Sequence, residues 1–95
     1  NIYPEEIEDK LNSMAMVVES LVVQRDSKLV GLVFPDYEEA KNLNMTKDEL
    51  KEIMEQNRIQ LNTEMPSYSK ITEIELYDEE FAKTAKKSIK RYLYK

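Results

Sequence analysis

The sequence predicts a small two-layer α+β domain, with a sheet of about three strands, a β-hairpin and helices packed against it. Three observations predict it. Two β-branched runs flank one short polar turn, a later run alternates apolar with polar, and the stretches between carry helix-start signals.

Taken in order, Pro4 suits the first turn of a helix, and Glu5 and Glu6 sit near its positive end. Ile7, Leu11 and Met14 follow at i, i+4, i+7 and give that helix one apolar face. The period changes around Ser13–Met16. Val17-Val18-Glu19-Ser20-Leu21-Val22-Val23 and Leu29-Val30-Gly31-Leu32-Val33-Phe34 then read as strands, joined through Arg25-Asp26-Ser27-Lys28 into a hairpin whose turn lacks glycine. Pro35 ends the second strand. Asp36-x-x-Glu39 and Thr46-x-x-Glu49 both have capping-box spacing. The first opens a short helix to about Leu43. The second opens a long one that buries Leu50, Ile53, Met54 and Leu61 and stops at Pro66. Ile71-Thr72-Glu73-Ile74-Glu75-Leu76 alternates as a third strand. After Asp78-Glu79-Glu80 and a basic loop, a last short amphipathic helix is expected with Ile89, Tyr92 and Leu93 inward.

The 95 residues form one domain, 1–95, with no internal repeat or interdomain linker. Cysteine and histidine are both absent, which removes disulfides, thiolate nucleophiles, Ser–His catalysis and ordinary zinc sites. No apolar run approaches the ~20 residues of a membrane helix, and no signal-peptide pattern is present, so a cytoplasmic setting is expected. The opening Asn1-Ile2-Tyr3-Pro4, without an initiating methionine, reads as the interior of a longer protein. Charge is unevenly placed. Lys83–Lys95 holds six of the 14 positive residues and no negative one, leaving the rest with eight positive against 19 negative, a net −11. An acidic body with a basic tail suggests that the tail meets an anion.

Glu5, Glu6, Glu8 and Asp9 form an acidic run, but helical placement puts most of them on a solvated face, as it does for Asp78-Glu79-Glu80 in a turn or cap. The five methionines, interleaved with Leu and Ile, read as core. Tyr92 and Tyr94 lie among lysines, but the acidic body and missing nucleic-acid motif argue against nucleic acid. The best site candidate is Lys83-Thr84-Ala85-Lys86-Lys87-Ser88. Its adjacent ammonium groups can reach a phosphate or carboxylate, and Ser88 can cap the helix expected after it. A solvated basic loop explains the same composition.

Four segments, in order, resemble the C-terminal domain of AMP-forming acyl-CoA synthetases, in the adenylate-forming superfamily. Asn1-Ile2-Tyr3-Pro4-Glu5-Glu6-Ile7-Glu8 is similar to the run after the interdomain hinge. The hairpin ending at Pro35-Asp36, Met65-Pro66-Ser67-Tyr68, and Phe81-x-Lys83-Thr84 through Ile89-Lys90-Arg91 resemble three later family segments. The ending and the long central helix look most like long-chain fatty acid–CoA ligases. The resemblance implies a mobile lid on a larger N-terminal domain of the same polypeptide, with the hinge ahead of Asn1. It also implies ATP, fatty acid and CoA at the domain interface, Mg2+ with the nucleotide, and no nucleic acid, and admits peripheral membrane association of the intact enzyme. An acyl-adenylate and pyrophosphate form first, and CoA then displaces AMP. In the family one lid face presents a signature lysine for adenylation. The face near the first helix and hairpin serves thioester formation. Acyl-carrier-protein ligases and peptide-synthetase adenylation domains share the lid, and a free-standing module with an anion-binding tail is the reading from another class.

The signature departs from the family's at its centre. Aligned without gaps, the family's adenylation lysine falls on Ser88, Lys87 takes a column that often holds glycine, and Ala85 replaces a common proline. Either the loop is reset so that Lys87 or Lys86 acts, or this lid has lost that lysine; Lys87 is the favoured candidate. The chain alone is too small to hold all three substrates and is expected to be inactive.

Overall fold

The computed structural model describes residues 3–94. Asn1 and Ile2 of the opening motif, and Lys95 of the basic tail, lie outside the described residues. The elements are α1 (Pro4–Asn12), β1 (Val17–Arg25), β2 (Lys28–Pro35), α2 (Tyr37–Asn42), α3 (Lys47–Thr63) and β3 (Ile71–Leu76). Single 3₁₀ turns lie at Ser67–Ser69 and Arg91–Leu93.

The α+β expectation holds. One mixed sheet runs in the order β1-β2-β3, with β1 antiparallel and β3 parallel to the central strand β2. Parallel pairing of β2 with β3 requires a crossover, and α2 and α3 supply it. Arg25 pairs with Lys28 across a two-residue turn in which Asp26 (φ 49°) and Ser27 (φ 66°) are both left-handed. That is the type I′ geometry whose twist suits a hairpin, here made without glycine. The caps form as their spacing predicts. Asp36 accepts from Glu39 N at 3.0 Å, and Thr46 and Glu49 close a reciprocal capping box.

Both faces of the sheet are covered, so β2 is buried from Leu29 through Val33. On one face, Ile7 and Leu11 of α1 and Leu61 of α3 pack on Val22, Leu29 and Ile71, while Leu50 and Met54 pack beside Val33. Gly31 sits under α1, and a Cβ there would meet Leu11 Cδ1 and Ile74 Cγ1 only at ordinary contact distance, 3.5 and 3.4 Å. Of the expected α3 core residues, Ile53 is only half-buried. Asn57, unforeseen, is buried and donates to Ala15 O at 2.9 Å. The other face is covered by the segment after β3, where Phe81 joins Leu21, Val30 and Leu32, with Tyr77, Ile89 and Tyr94 packed around them.

The expected last helix is corrected. Only the Arg91–Leu93 turn forms, with Tyr92 65% and Leu93 55% exposed rather than inward. Ile89 does pack inward, held in a bridge with Lys83. Tyr94 takes the place expected of Tyr92, its ring 5.0 Å from that of Phe81 and 5.8 Å from that of Tyr77. No described helix is long and apolar enough to cross a membrane.

Candidate functional site

The basic segment becomes a small hairpin standing on the sheet. Its stems are joined by the Lys83–Ile89 bridge and by Lys90 N donating to Ala82 O at 2.8 Å. Its tip closes through Thr84 N to Ser88 O (2.8 Å) and Lys87 N to Thr84 O (2.9 Å). Ser88 caps no helix, because among the described residues only the Arg91–Leu93 turn follows; its amide donates to Thr84 Oγ1 at 3.3 Å. Lys87 sits at φ 66°, the left-handed region glycine enters without steric cost.

The described cations of the tail separate into different environments. Lys83 is half-buried, its Nζ 2.6 Å from Glu19 Oε1 and donating to Oε2 at 2.8 Å and to Phe81 O at 3.1 Å. Arg91 makes a two-pronged pair with Glu8, one prong being Nη1 to Oε2 at 2.8 Å. The Glu8 hydrogen bonds push the Arg91 guanidinium above its ordinary range, outweighing the opposite effect of burial. By contrast Lys86 and Lys87 are exposed at the tip, and among the described residues neither has a carboxylate partner. Both candidate lysines therefore lie together in one loop, with their ammonium groups open to an incoming anion.

Most of the acidic run is solvated as its helical placement predicts, and Glu8 is the exception, only 6% exposed. Its carboxylate accepts from Val22 N of the edge strand at 2.7 Å as well as from Arg91, and these partners make burial of the charge tolerable. The spacing held one hint: Glu8 stands next to Ile7 and three residues before Leu11, at the border of the apolar stripe. Glu5, Glu6 and Asp9 are exposed, as are Asp78, Glu79 and Glu80.

Elsewhere the surface is less suited to an anion. A groove of about 650 Å³ beside β3 is lined by Lys47 and Lys51 but also by Glu55, Glu73, Glu75 and Asp78. Among the described residues no three His, Cys, Asp or Glu side chains gather as a metal site.

Over residues 1–94 the sequence matches the family model of the AMP-binding enzyme C-terminal domain. No curated protein matches the chain. Among solved structures it is similar to the adenylation domain of a carboxylate reductase from Mycobacterium chelonae, at 17% identity and a TM-score of 0.79, over 97% of this chain and 16% of that one. It is similar to a benzoate CoA ligase from Burkholderia xenovorans at 22% identity and a TM-score of 0.75, over 97% of this chain and 18% of that one. A Mycobacterium tuberculosis fatty acyl CoA synthetase aligns at 17% identity and a TM-score of 0.65, over 98% of this chain and 17% of that one. At these identities the likeness is one of fold, and the chain spans less than a fifth of each of those proteins.

Proposed function

Because the chain belongs to the AMP-binding enzyme C-terminal domain family, we propose that residues 1–95 are the mobile lid of a longer adenylate-forming enzyme, a long-chain fatty acid–CoA ligase. The observation that carries this reading is the family match over 1–94, joined to an exposed basic loop in the family's signature segment. The proposed partner is an N-terminal domain of the same polypeptide, consistent with the small share of the related structures that this chain covers. The intact enzyme is proposed to be cytoplasmic.

In the first half-reaction a carboxylate oxygen of the fatty acid attacks the α-phosphorus of ATP, and the bond to the β-phosphate oxygen breaks, releasing pyrophosphate. In the second, the sulfur of CoA attacks the acyl carbonyl of the adenylate; AMP leaves and the thiol proton passes to solvent. Two anions must approach in the first step. A lysine between them offsets their repulsion and stabilises charge gathering at the α-phosphate. We assign that part to Lys87, with Lys86 as its immediate neighbour, since Ser88 in the family's lysine column carries no charge. Lys83 and Arg91 are already neutralised by Glu19 and Glu8. Mg2+ is proposed to enter with the nucleotide and to offset phosphate charge alongside the lysine.

Carboxylate-dependent exchange of pyrophosphate into ATP by the full-length polypeptide tests the reading. Exchange supported by long-chain fatty acids, followed by thioester formation with CoA, is the expected result. Exchange without thioester on CoA would point to a carrier-protein thiol as acceptor. Absence of exchange with straight-chain fatty acids and with benzoate would remove the adenylation reading.

A further inference from the structure

The two ends of the basic loop are fastened in the same way, and by unusual contacts for this molecule. Lys83 in one stem is held by Glu19 of β1, and Arg91 just past the other stem is held by Glu8 of α1. The carboxylate side chains of these two pairs are 13% and 8% exposed. In the other four ion pairs among the described residues the carboxylate side chain is 37–75% exposed. Withdrawing a carboxylate from water is costly, and an apolar pair of similar size would commonly stabilise a fold as well or better. What an ion pair adds is a fixed geometry, strongest where the guanidinium meets the carboxylate with two prongs. Glu8 is itself fixed by the Val22 amide at 2.7 Å, so the anchor for Arg91 does not swing. Between the two anchors, the tip is closed by two backbone bonds and by the Ser88 amide donating to Thr84 Oγ1.

On the adenylation reading above, on which this inference rests, we propose that Glu8 and Glu19 are positioning residues. They hold the two stems of the basic loop so that its tip lysines meet the reacting phosphate in one geometry. Neither carboxylate touches substrate. Each acts through the cation it grips, and losing either grip lets the tip tilt while the sheet beneath stays folded.

The test uses the full-length polypeptide with ATP, pyrophosphate and straight-chain fatty acids for exchange, and a synthetic acyl-adenylate with CoA for transfer. Thermal unfolding is followed on the same samples. Glu19→Gln and Glu8→Gln should each slow exchange by about tenfold to a hundredfold, the scale of a small misplacement of a reacting group. Transfer from the pre-made adenylate should stay within about threefold of wild type, because an interaction used only in the first step is lost only there. The exchanged pair Glu19→Lys with Lys83→Glu should recover most of the lost exchange. Glu55→Gln, which breaks the exposed pair with Arg58 inside α3, should change neither reaction. Arg91→Lys keeps the charge but not the two-pronged fit, so it tests the Glu8 stem even if Glu8→Gln does not fold. Unchanged exchange in these variants would overturn the inference, as would parallel loss of both half-reactions tracking lost thermal stability. If wild type exchanges and the variants do too, only the positioning role falls. If wild type does not exchange at all, the adenylation reading falls and takes this inference with it.

Discussion

The phenol of Tyr37 shows how single side chains tie the crossover to the last strand. It donates to Tyr77 O at 3.0 Å and lies 3.2 Å from Asp78 Oδ1. Burial, followed by the nearby Asp78 carboxylate, pushes its pKa above 10.0. A raised value means the folded state favours the neutral phenol. Its contribution is therefore full below the unfolded pKa of about 10 and is lost as pH rises through the folded value. Tyr37→Phe should cost about 1 kcal/mol at neutral pH. The gap from wild type should narrow above pH ~10, in urea titrations run at both conditions. At the loop tip, removing one preorganised charge commonly slows a reaction by about 10²–10³. Lys87→Ala should slow adenylation on that scale and spare transfer from a pre-made adenylate, with Lys86→Ala as the matched control. If Lys86→Ala alone abolishes exchange, the register moves by one residue. If neither change slows it, the loop is a solvated basic turn and the assignment is wrong.

At the scale of elements, the hairpin and the long helix each rest on local chemistry that can be changed without touching the core. Ser27 holds φ 66° without being glycine, and a left-handed residue with a Cβ carries about 1–2 kcal/mol of strain. Ser27→Gly should raise the urea midpoint with an unchanged slope, corresponding to about 0.5–1 kcal/mol after the entropic cost of glycine. Thr46→Ala opens the capping box at the start of α3 and should cost about 1 kcal/mol by the same titration. These elements were legible in sequence because their signals are local: β-branched runs, a polar turn, two caps and an alternating strand. The last segment was not. Ile89, Tyr92 and Leu93 stand at i, i+3, i+4 and imitate a helix face. What decides the matter is non-local. The bridge takes Ile89, and Ala82 N donates to Tyr94 Oη at 2.7 Å, leaving room for one 3₁₀ turn. Glu8 could not be told from its exposed neighbours for the same reason, since Arg91, which pairs with it, lies 83 positions away.

Across the whole molecule, charge and packing divide the labour. An acidic body of net −11 buries its apolar residues on both faces of β2, while the basic segment folds over one face and turns its two unpaired tip lysines outward. The basic loop stood out in composition as a candidate site, and the resemblance to a family suggested the chemistry proposed for it. Which cations are free and which are structural required the structure, because Lys83, Lys86, Lys87 and Arg91 look alike in sequence. The central claim is that this chain serves adenylation as the lid of a larger enzyme. Pyrophosphate exchange tests it most directly when measured on the full-length polypeptide, on the same polypeptide lacking these 95 residues, and on the 95 residues alone. Carboxylate-dependent exchange should be present in the first, lower by about 10² or more in the second, and absent from the third. Undiminished exchange by the truncated protein, or exchange by the 95-residue chain alone, would contradict it.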